Sequence, residues 1–332
     1  MIVRRNFTPA EVSAKKATFA LPKSVAGKSV EFYAIANTTV GDIADKAALL
    51  ALKETSAALY NGTFAEVSAA AKRSGGFLMS GTATKTVAAA GQATDVAITL
   101  KRDVAKIAIQ SSLSADFASK YPGKIKVNSA KISRAASQTP YFGGTIASGA
   151  MTFTHTQTPK EDAGKYNSLF YLFENGTLAA GSRVLLTLEA IYDKDGDFST
   201  TGDQTPVTYE VELKGTSDNG TILRNGYYRV AVSLAGLTGQ DVSATITVAD
   251  WETPVTQTID LGIDALRRVF LLICQFIRYE EKTLAPAFGP LPVRALPAAC
   301  LGAILRRRSE RTHAYDRYGQ RLFRGGLRSA LV

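Results

Sequence analysis

The chain has 332 residues, of which 45% are apolar, and a formal net charge of +10. That is long and apolar enough for two ordinary cores, and basic enough to raise a nucleic-acid or membrane partner. The charge is not spread evenly: 13 Lys+Arg and 5 Asp+Glu lie from Ile263 onward, leaving 26 and 24 in the first 262 residues, so the body is nearly neutral and no nucleic-acid partner is expected for it.

Both cysteines, Cys274 and Cys300, also lie beyond residue 262. The body can therefore form neither a disulfide nor a thiolate metal site. No apolar leader follows Met1-Ile-Val-Arg-Arg. The longest apolar run, 269–277, is interrupted by Gln275 and is far too short to span a bilayer.

In chain order, residues 29–36 (SVEFYAIA) alternate as a strand does. Residues 41–60 are rich in Ala and Leu, with Asp42 as N-cap and Ile43, Ala47 and Leu50 on one face, which predicts a helix. A second, weaker helix is expected over 64–72. Further strands are expected at 95–100, 105–110, 124–132, 151–154, 169–173, 183–192, 207–214, 228–234, 242–248 and 255–261. Gly, Asn or Asp stand between many of them, a spacing that points to an all-β sandwich or barrel. Asp193-Lys-Asp-Gly-Asp197 and Asn225-Gly226 read as turns. The turn-rich stretch 140–149 sets an expected domain boundary, giving 1–143, 144–262 and a tail, 263–332.

The tail shows no strand alternation and changes from Lys to Arg usage. It reads either as a basic arm or as sequence translated out of frame and disordered.

Catalytic chemistry finds little support. His155, in the alternating stretch Thr152-Phe-Thr-His-Thr156, reads as a strand-surface residue rather than a triad base. No phosphate-binding glycine loop and no metal-ligand spacing occurs, so no catalytic, cofactor or metal residue is assigned. Asp193, Asp195 and Asp197 read as a hairpin tip, with weak calcium binding as the alternative, because Gly196 falls too early for an EF-hand and Gln204 stands at its twelfth position. Trp251 reads as closing a core, or else as a sugar-stacking platform. Asn61-Gly-Thr63 reads as a loop.

Four blocks in order carry a resemblance. Phe77-Leu-Met-Ser-Gly81 followed by Leu100-Lys-Arg-Asp-Val-Ala-Lys-Ile107, then Tyr171-Leu-Phe-Glu-Asn175, Asn225-Gly-Tyr-Tyr-Arg-Val230 and Ile246-Thr-Val-Ala-Asp-Trp251 resemble the fimbrillin-like (type V pilin) proteins of the Bacteroidales. The resemblance spans nearly the whole body and leaves out the tail. It implies a mainly β fold of two tandem β-sandwich (transthyretin-like) domains with a short helix in the first, followed by an unrelated Arg-rich tail.

It also implies a non-enzymatic structural subunit of a surface fimbria, polymerising by β-strand exchange and supporting adhesion. The alternative is a tip, anchor or other surface lipoprotein that holds host protein or glycan. The implied partners are other fimbrial subunits and an arginine-specific protease. The implied location is the outer membrane and fimbrium, with a native precursor carrying a lipoprotein signal and a removable first strand that are missing here. Arg4 and Arg5 are then candidates for the processing site. The candidate donor strand is 255–261, whose Val255, Gln257, Ile259 and Leu261 share a face; it reads equally as the last strand of its own sandwich.

Overall fold

A computed structural model of the chain describes residues 3–249, apart from 70, 71, 74, 147, 216 and 239–241, together with the backbone of 272–274. The described residues are mainly β, with a few short helices. β1 (Arg4–Asn6) and α1 (Pro9–Ala14) come first, followed by β2 (Ser29–Ala36), α2 (Lys46–Leu50), β3 (Lys53–Glu54) and α3 (Phe64–Ala69). Then come β4 (Met79–Thr86), β5 (Lys101–Arg102), β6 (Val104–Leu113), α4 (Phe117–Lys120), β7 (Lys124–Ala135) and β8 (Thr139–Pro140). The rest are β9 (Phe153–Gln157), β10 (Lys160–Asp162), β11 (Lys165–Phe173), β12 (Leu185–Asp193), β13 (Gln204–Glu212), β14 (Tyr227–Leu234), β15 (Val242–Ala249) and β16 (Leu272–Cys274).

Two large sheets face each other, ordered β10-β11-β6-β14-β15 and β13-β12-β7-β9. Neighbouring strands are antiparallel except β14 and β6, which run parallel. Their shared core includes Ile107, Ile109, Ile132, Phe170, Leu186, Leu188, Tyr209 and Val230. β11 is buried on both faces. Tyr166, Phe170 and Leu172 enter this core, while Leu169, Tyr171 and Phe173 pack under Tyr60, Val67 and Phe77 from the N-terminal part of the chain. A strand covered on both faces reads as an apolar run instead of an alternating one, which is the character of Leu169-Phe-Tyr-Leu-Phe173. Buried hydroxyls are satisfied: Tyr209 donates to the Gly236 carbonyl at 2.7 Å and Tyr166 to that of Ile125 at 2.9 Å.

β6 and β7 lie before residue 143, yet they occupy inner positions in these two sheets. A boundary at 143/144 would cut through both sheets, so the expected division into 1–143 and 144–262 does not follow sheet membership. The turn chemistry of 140–149 is real, with Gly143 and Gly144 at positive φ, but it marks a loop within the assembly of sheets. The first sheet, β1-β16-β2-β4-β5, comes from residues before 103 and from β16.

The helix expected over 41–60 is broken. Asp45, not Asp42, is the N-cap, accepting from the Ala48 amide at 2.8 Å, and α2 ends at Leu50. β3 then pairs with β8, Glu54 opposite Thr139, and the Glu54 carboxylate accepts from the amides of Thr55 and Ser56. Long-range pairing here overrides an Ala-rich propensity worth only tenths of a kcal/mol per residue. Within the helix expected over 64–72, the described residues place α3 at Phe64–Ala69, started by a reciprocal Thr63–Glu66 cap; residues 70 and 71 lie outside the described residues.

Residues 95–100 keep their alternation, with Val96, Ile98 and Leu100 turned inward, but join no ladder. They run tight against β4. A Cβ added at Gly81 would lie 2.3 Å from the Thr99 carbonyl oxygen, so only glycine allows this approach.

Candidate functional site: a strand slot and a buried junction

The first sheet contains a slot between two strands. β2 pairs with β4 along its whole length, from Ser29 opposite Thr86 to Ala36 opposite Met79. Its other edge meets β16 at three positions only: Leu272 opposite Ile35, Ile273 opposite Ala34 and Cys274 opposite Tyr33. β16 in turn pairs with β1, Arg4 opposite Cys274, Arg5 opposite Ile273 and Asn6 opposite Leu272. β1 and β2 therefore stand two strand spacings apart, about 10 Å, and the sheet is continuous only because a strand from beyond residue 262 lies between them.

The slot is apolar on both faces. Val30 and Phe32 pack with Val25 and Val87, and Ala34 with Phe7. Tyr33 and Ile35 pack with Val40, Ile43 and Leu49 on the other face. From Ser29 to Phe32, the β16 side of β2 has no strand partner among the described residues.

Arg4 and Arg5 lie on β1, in the slot's wall. Arg4 donates to the Gly41 carbonyl at 2.8 Å and to that of Val40, and pairs with Asp42 at 3.3 Å. Arg5 donates to the Thr18 carbonyl at 2.6 Å and pairs with Glu11. Glu11 also accepts from the Thr8 amide at 2.9 Å and so closes the capping box of α1. The Thr8 amide, more than Arg5, holds the Glu11 carboxyl below its usual range. Both arginines are thus engaged where the sequence reading has a protease cut. Val255, Gln257, Ile259 and Leu261, the candidate donor residues, lie outside the described residues, as does Trp251.

The sequence blocks converge beside the slot. Arg224, directly before the Asn225-Gly226 turn, extends into the junction between the first sheet and the sandwich. Its guanidinium donates to the Tyr141 carbonyl at 2.7 Å, the Pro140 carbonyl at 2.6 Å, Thr139 Oγ1 at 3.1 Å and Glu174 at 2.6 Å. Asp103 Oδ1 is 3.6 Å away, and the Ser80 hydroxyl donates towards it at 3.5 Å. Asn225, at φ 59°, accepts from the Arg102 amide at 3.3 Å and its guanidinium at 2.9 Å. Asp103 is fully buried, and this burial raises its carboxyl well above 3.8; Arg224 works against the shift, while Glu54 and Glu174 add to it. Arg73 faces Glu54 at 3.6 Å on the same side.

Ser80, Asp103, Glu174 and Arg224 thus tie together blocks that are far apart in sequence. The residue-by-residue reading missed this. Its signal was available: charged residues inside otherwise apolar blocks, where only a buried partner makes them tolerable. The junction's contacts, an arginine shared among carbonyls and carboxylates of separate segments, are those of a clamp.

The other candidates resolve simply. His155 meets the Gly62 carbonyl at 3.0 Å, lies parallel to the Phe153 ring and meets Phe170 edge to face. Asp193, Asp195 and Asp203, rather than Asp197, come within 4.8 Å of one another. Their oxygens serve the loop itself: Asp193 accepts from the Gly196 amide at 2.7 Å and from Gln204 at 3.0 Å, and Asp203 from the Asp195 amide at 2.9 Å. Asp197 caps Ser199. Among the described residues no helix is long and apolar enough to cross a membrane.

The family model of the fimbrillin-A associated anchor proteins Mfa1 and Mfa2 matches residues 21–256. Among solved structures, a fimbrilin of Porphyromonas gingivalis W83 is similar at 19% identity over 68% of this chain and 81% of that one, with a TM-score of 0.45. The tip fimbrial protein Mfa3 of P. gingivalis, with a C-terminal truncation, is similar at 11% identity over 68% and 95%, with a TM-score of 0.39. No curated protein matches. The family match covers the sandwich, the junction and most of the first sheet, and by it the chain belongs to the fimbrillin-A associated anchor protein family, a family of fimbrial proteins.

Proposed function

We propose that the chain is a structural subunit of a surface fimbria that joins its neighbours by accepting a β-strand between β1 and β2. One observation carries this reading: a strand that is not contiguous with either wall completes the first sheet by pairing on both sides. An added strand recovers main-chain hydrogen bonds along β2 and extends a sheet whose Val30, Phe32 and Ala34 already face an apolar layer, so backbone pairing gives affinity and the alternating side chains set the register. Adhesion is the biological output, host protein or glycan is a further partner, and an outer-membrane lipoprotein precursor is the expected origin. Cleavage next to Arg4 or Arg5 by an arginine-specific protease would act on one wall of the slot.

A second role within the fimbria is supported by the description of the matched family, which names anchor proteins. An anchor terminates a fibre, so it exchanges a strand on one side only. For the donor, 255–261 competes with an intramolecular role, because the outer edge of β15 has no strand partner among the described residues.

The test is an unboiled denaturing gel of chains ending at 262 and at 254, each with and without arginine-specific proteolysis. A ladder that needs 255–261 supports the shaft role. A single discrete complex with another fimbrial protein, without a ladder, supports the anchor. Monomer throughout, with no complex, overturns strand acceptance.

A further inference from the structure

The strand lying in the slot belongs to this chain. We propose that Leu272–Cys274 is an intramolecular plug, which closes the slot of its own subunit until a longer strand replaces it; this rests on the slot being an acceptor, as proposed above.

Three observations lead here. The first is register: β16 is antiparallel to both walls, with three consecutive residue pairs on each side. The second is sequence. β16 comes from 269–277, the longest apolar run in the chain, which is too short to cross a bilayer. The third is coverage. β16 pairs with three of the eight residues of β2 and leaves Ser29 to Phe32 open on the same edge.

A strand of seven or eight residues would make every pairing the plug makes and add the remainder, so the seated segment is the weaker competitor. The connection, 250–271, can reach on the order of 70 Å when extended, so chain length does not prevent seating in the same subunit or release from it.

The plug differs from an exchanged strand in what it does to assembly. Seated in its own subunit, it removes the edge that a neighbour would use and keeps the chain monomeric. Displaced, it exposes the whole of β2.

The register supplies the test. Cys274 lies opposite Arg4, and directly opposed antiparallel residues have Cα atoms about 4.5–5.5 Å apart, within disulfide range. In the full chain carrying Cys300→Ser, Arg4→Cys is expected to form a disulfide within the monomer on mild oxidation, read as a two-dalton mass loss. Ser29→Cys, outside the β16 register, is the control and is expected not to. If Arg4→Cys impairs folding, Asn6→Cys with Leu272→Cys and Cys274→Ser probes the same register from the other end. Equal cross-linking in control and test, or a disulfide only between two copies, overturns the plug.

The oxidised and reduced proteins are then titrated with a synthetic peptide of residues 255–261. Binding at least about tenfold weaker to the oxidised form, roughly 1.4 kcal/mol, supports blockade. Equal binding to both overturns it. A disulfide within the monomer with peptide binding to neither form leaves the seated plug standing and removes the acceptor reading instead.

Discussion

Two strands of this protein, β11 and β2, present an edge that their neighbouring strands do not cover, and the two edges are treated in opposite ways. β11 pairs with β10 only over Lys165 to Asn167. Beyond that, side chains stand in for a strand. Gln157 accepts from the Leu169 amide at 2.9 Å and donates to the Leu169 carbonyl at 3.2 Å. Asn61 does the same at Tyr171, at 2.9 and 2.7 Å. Each carboxamide turns one N–H and its C=O toward the strand at the spacing of a peptide group and spends its second N–H on the carbonyl of Ala57 or Gly62, so two residues close the edge.

At β2 nothing comparable occurs. The edge facing β1 is met by three residues of β16 and has no other strand partner among the described residues. A protein that can close an edge with its own side chains, and does so on the sandwich, leaves open the edge over an apolar slot. The difference is what supports the proposal that β2 is where a strand is received.

The largest expected effect comes from the clamp that joins the two regions. Arg224→Ala removes the donor shared by Tyr141, Pro140 and Glu174, and leaves Asp103 and Glu174 without their cation. Breaking a buried charge pair from one side costs about 3–5 kcal/mol. Urea unfolding should show that loss, with the first sheet now unfolding ahead of the sandwich. A single transition with less than about 1 kcal/mol lost would mean that the clamp couples nothing.

Next are the carboxamides. Asn61→Leu keeps side-chain size, Gln157→Met keeps side-chain length, and each leaves an amide and a carbonyl of β11 buried and unpaired, at about 1–3 kcal/mol per group. Hydrogen exchange should speed up at Tyr171 or Leu169 respectively, and the exposed edge should promote self-association. Unchanged protection would show that the edge is closed by something else.

Ile273→Pro sharpens the contrast from the other side. Proline cannot donate to a ladder, so β16 is weakened at the cost of about one hydrogen bond, roughly 1 kcal/mol. Amides of β2 should exchange faster while those of β6 and β12 stay as they were. A global shift in melting would contradict a locally seated strand.

The smallest effect is on the pH profile. The Asp103 carboxyl is raised in the folded protein, chiefly by burial, so the folded state holds this proton more tightly than the unfolded state. Its contribution to stability is present in full below the unfolded value near 3.8 and is lost as pH rises through the raised folded value. Glu11 and Glu66, which the backbone amides of Thr8 and Thr63 hold below their usual range, act in the opposite sense and lose stability in acid. Subtracting the profile of Asp103→Asn from that of the native chain isolates the Asp103 part. A difference that does not decline between pH 4 and neutrality would place Asp103 ionised beside Arg224 throughout.

Many of the strands could be read directly. Residues 29–36 form β2 with the expected bounds, and 124–132, 228–234 and 242–248 lie inside β7, β14 and β15. Strand alternation survives translation into structure because one face of each strand meets a core whatever its partner is. The alternation of 95–100 likewise gave the inward face correctly, but whether a ladder forms depends on a neighbour that the segment itself does not specify. The helix expected over 41–60 failed for the same reason: its composition carries no information about β8, and pairing with β8 extends the chain at Lys53 and Glu54.

The sequence by itself determined the β-rich class, the apolar faces, the near-neutral body and the family, because these depend on residue type and local spacing. It also contained Ser80, Asp103 and Glu174 within blocks that were recognisable one at a time, with Arg224 directly before the block that starts at Asn225. Only the tertiary structure decided that Ser80, Asp103, Glu174 and Arg224 meet, that β6 and β7 belong with strands far beyond residue 143, and that Leu272–Cys274 lies between β1 and β2. Strand partnership and charge pairing at long range are properties of the closed chain: the main-chain groups are the same at every residue, and only packing selects which of them come to face each other.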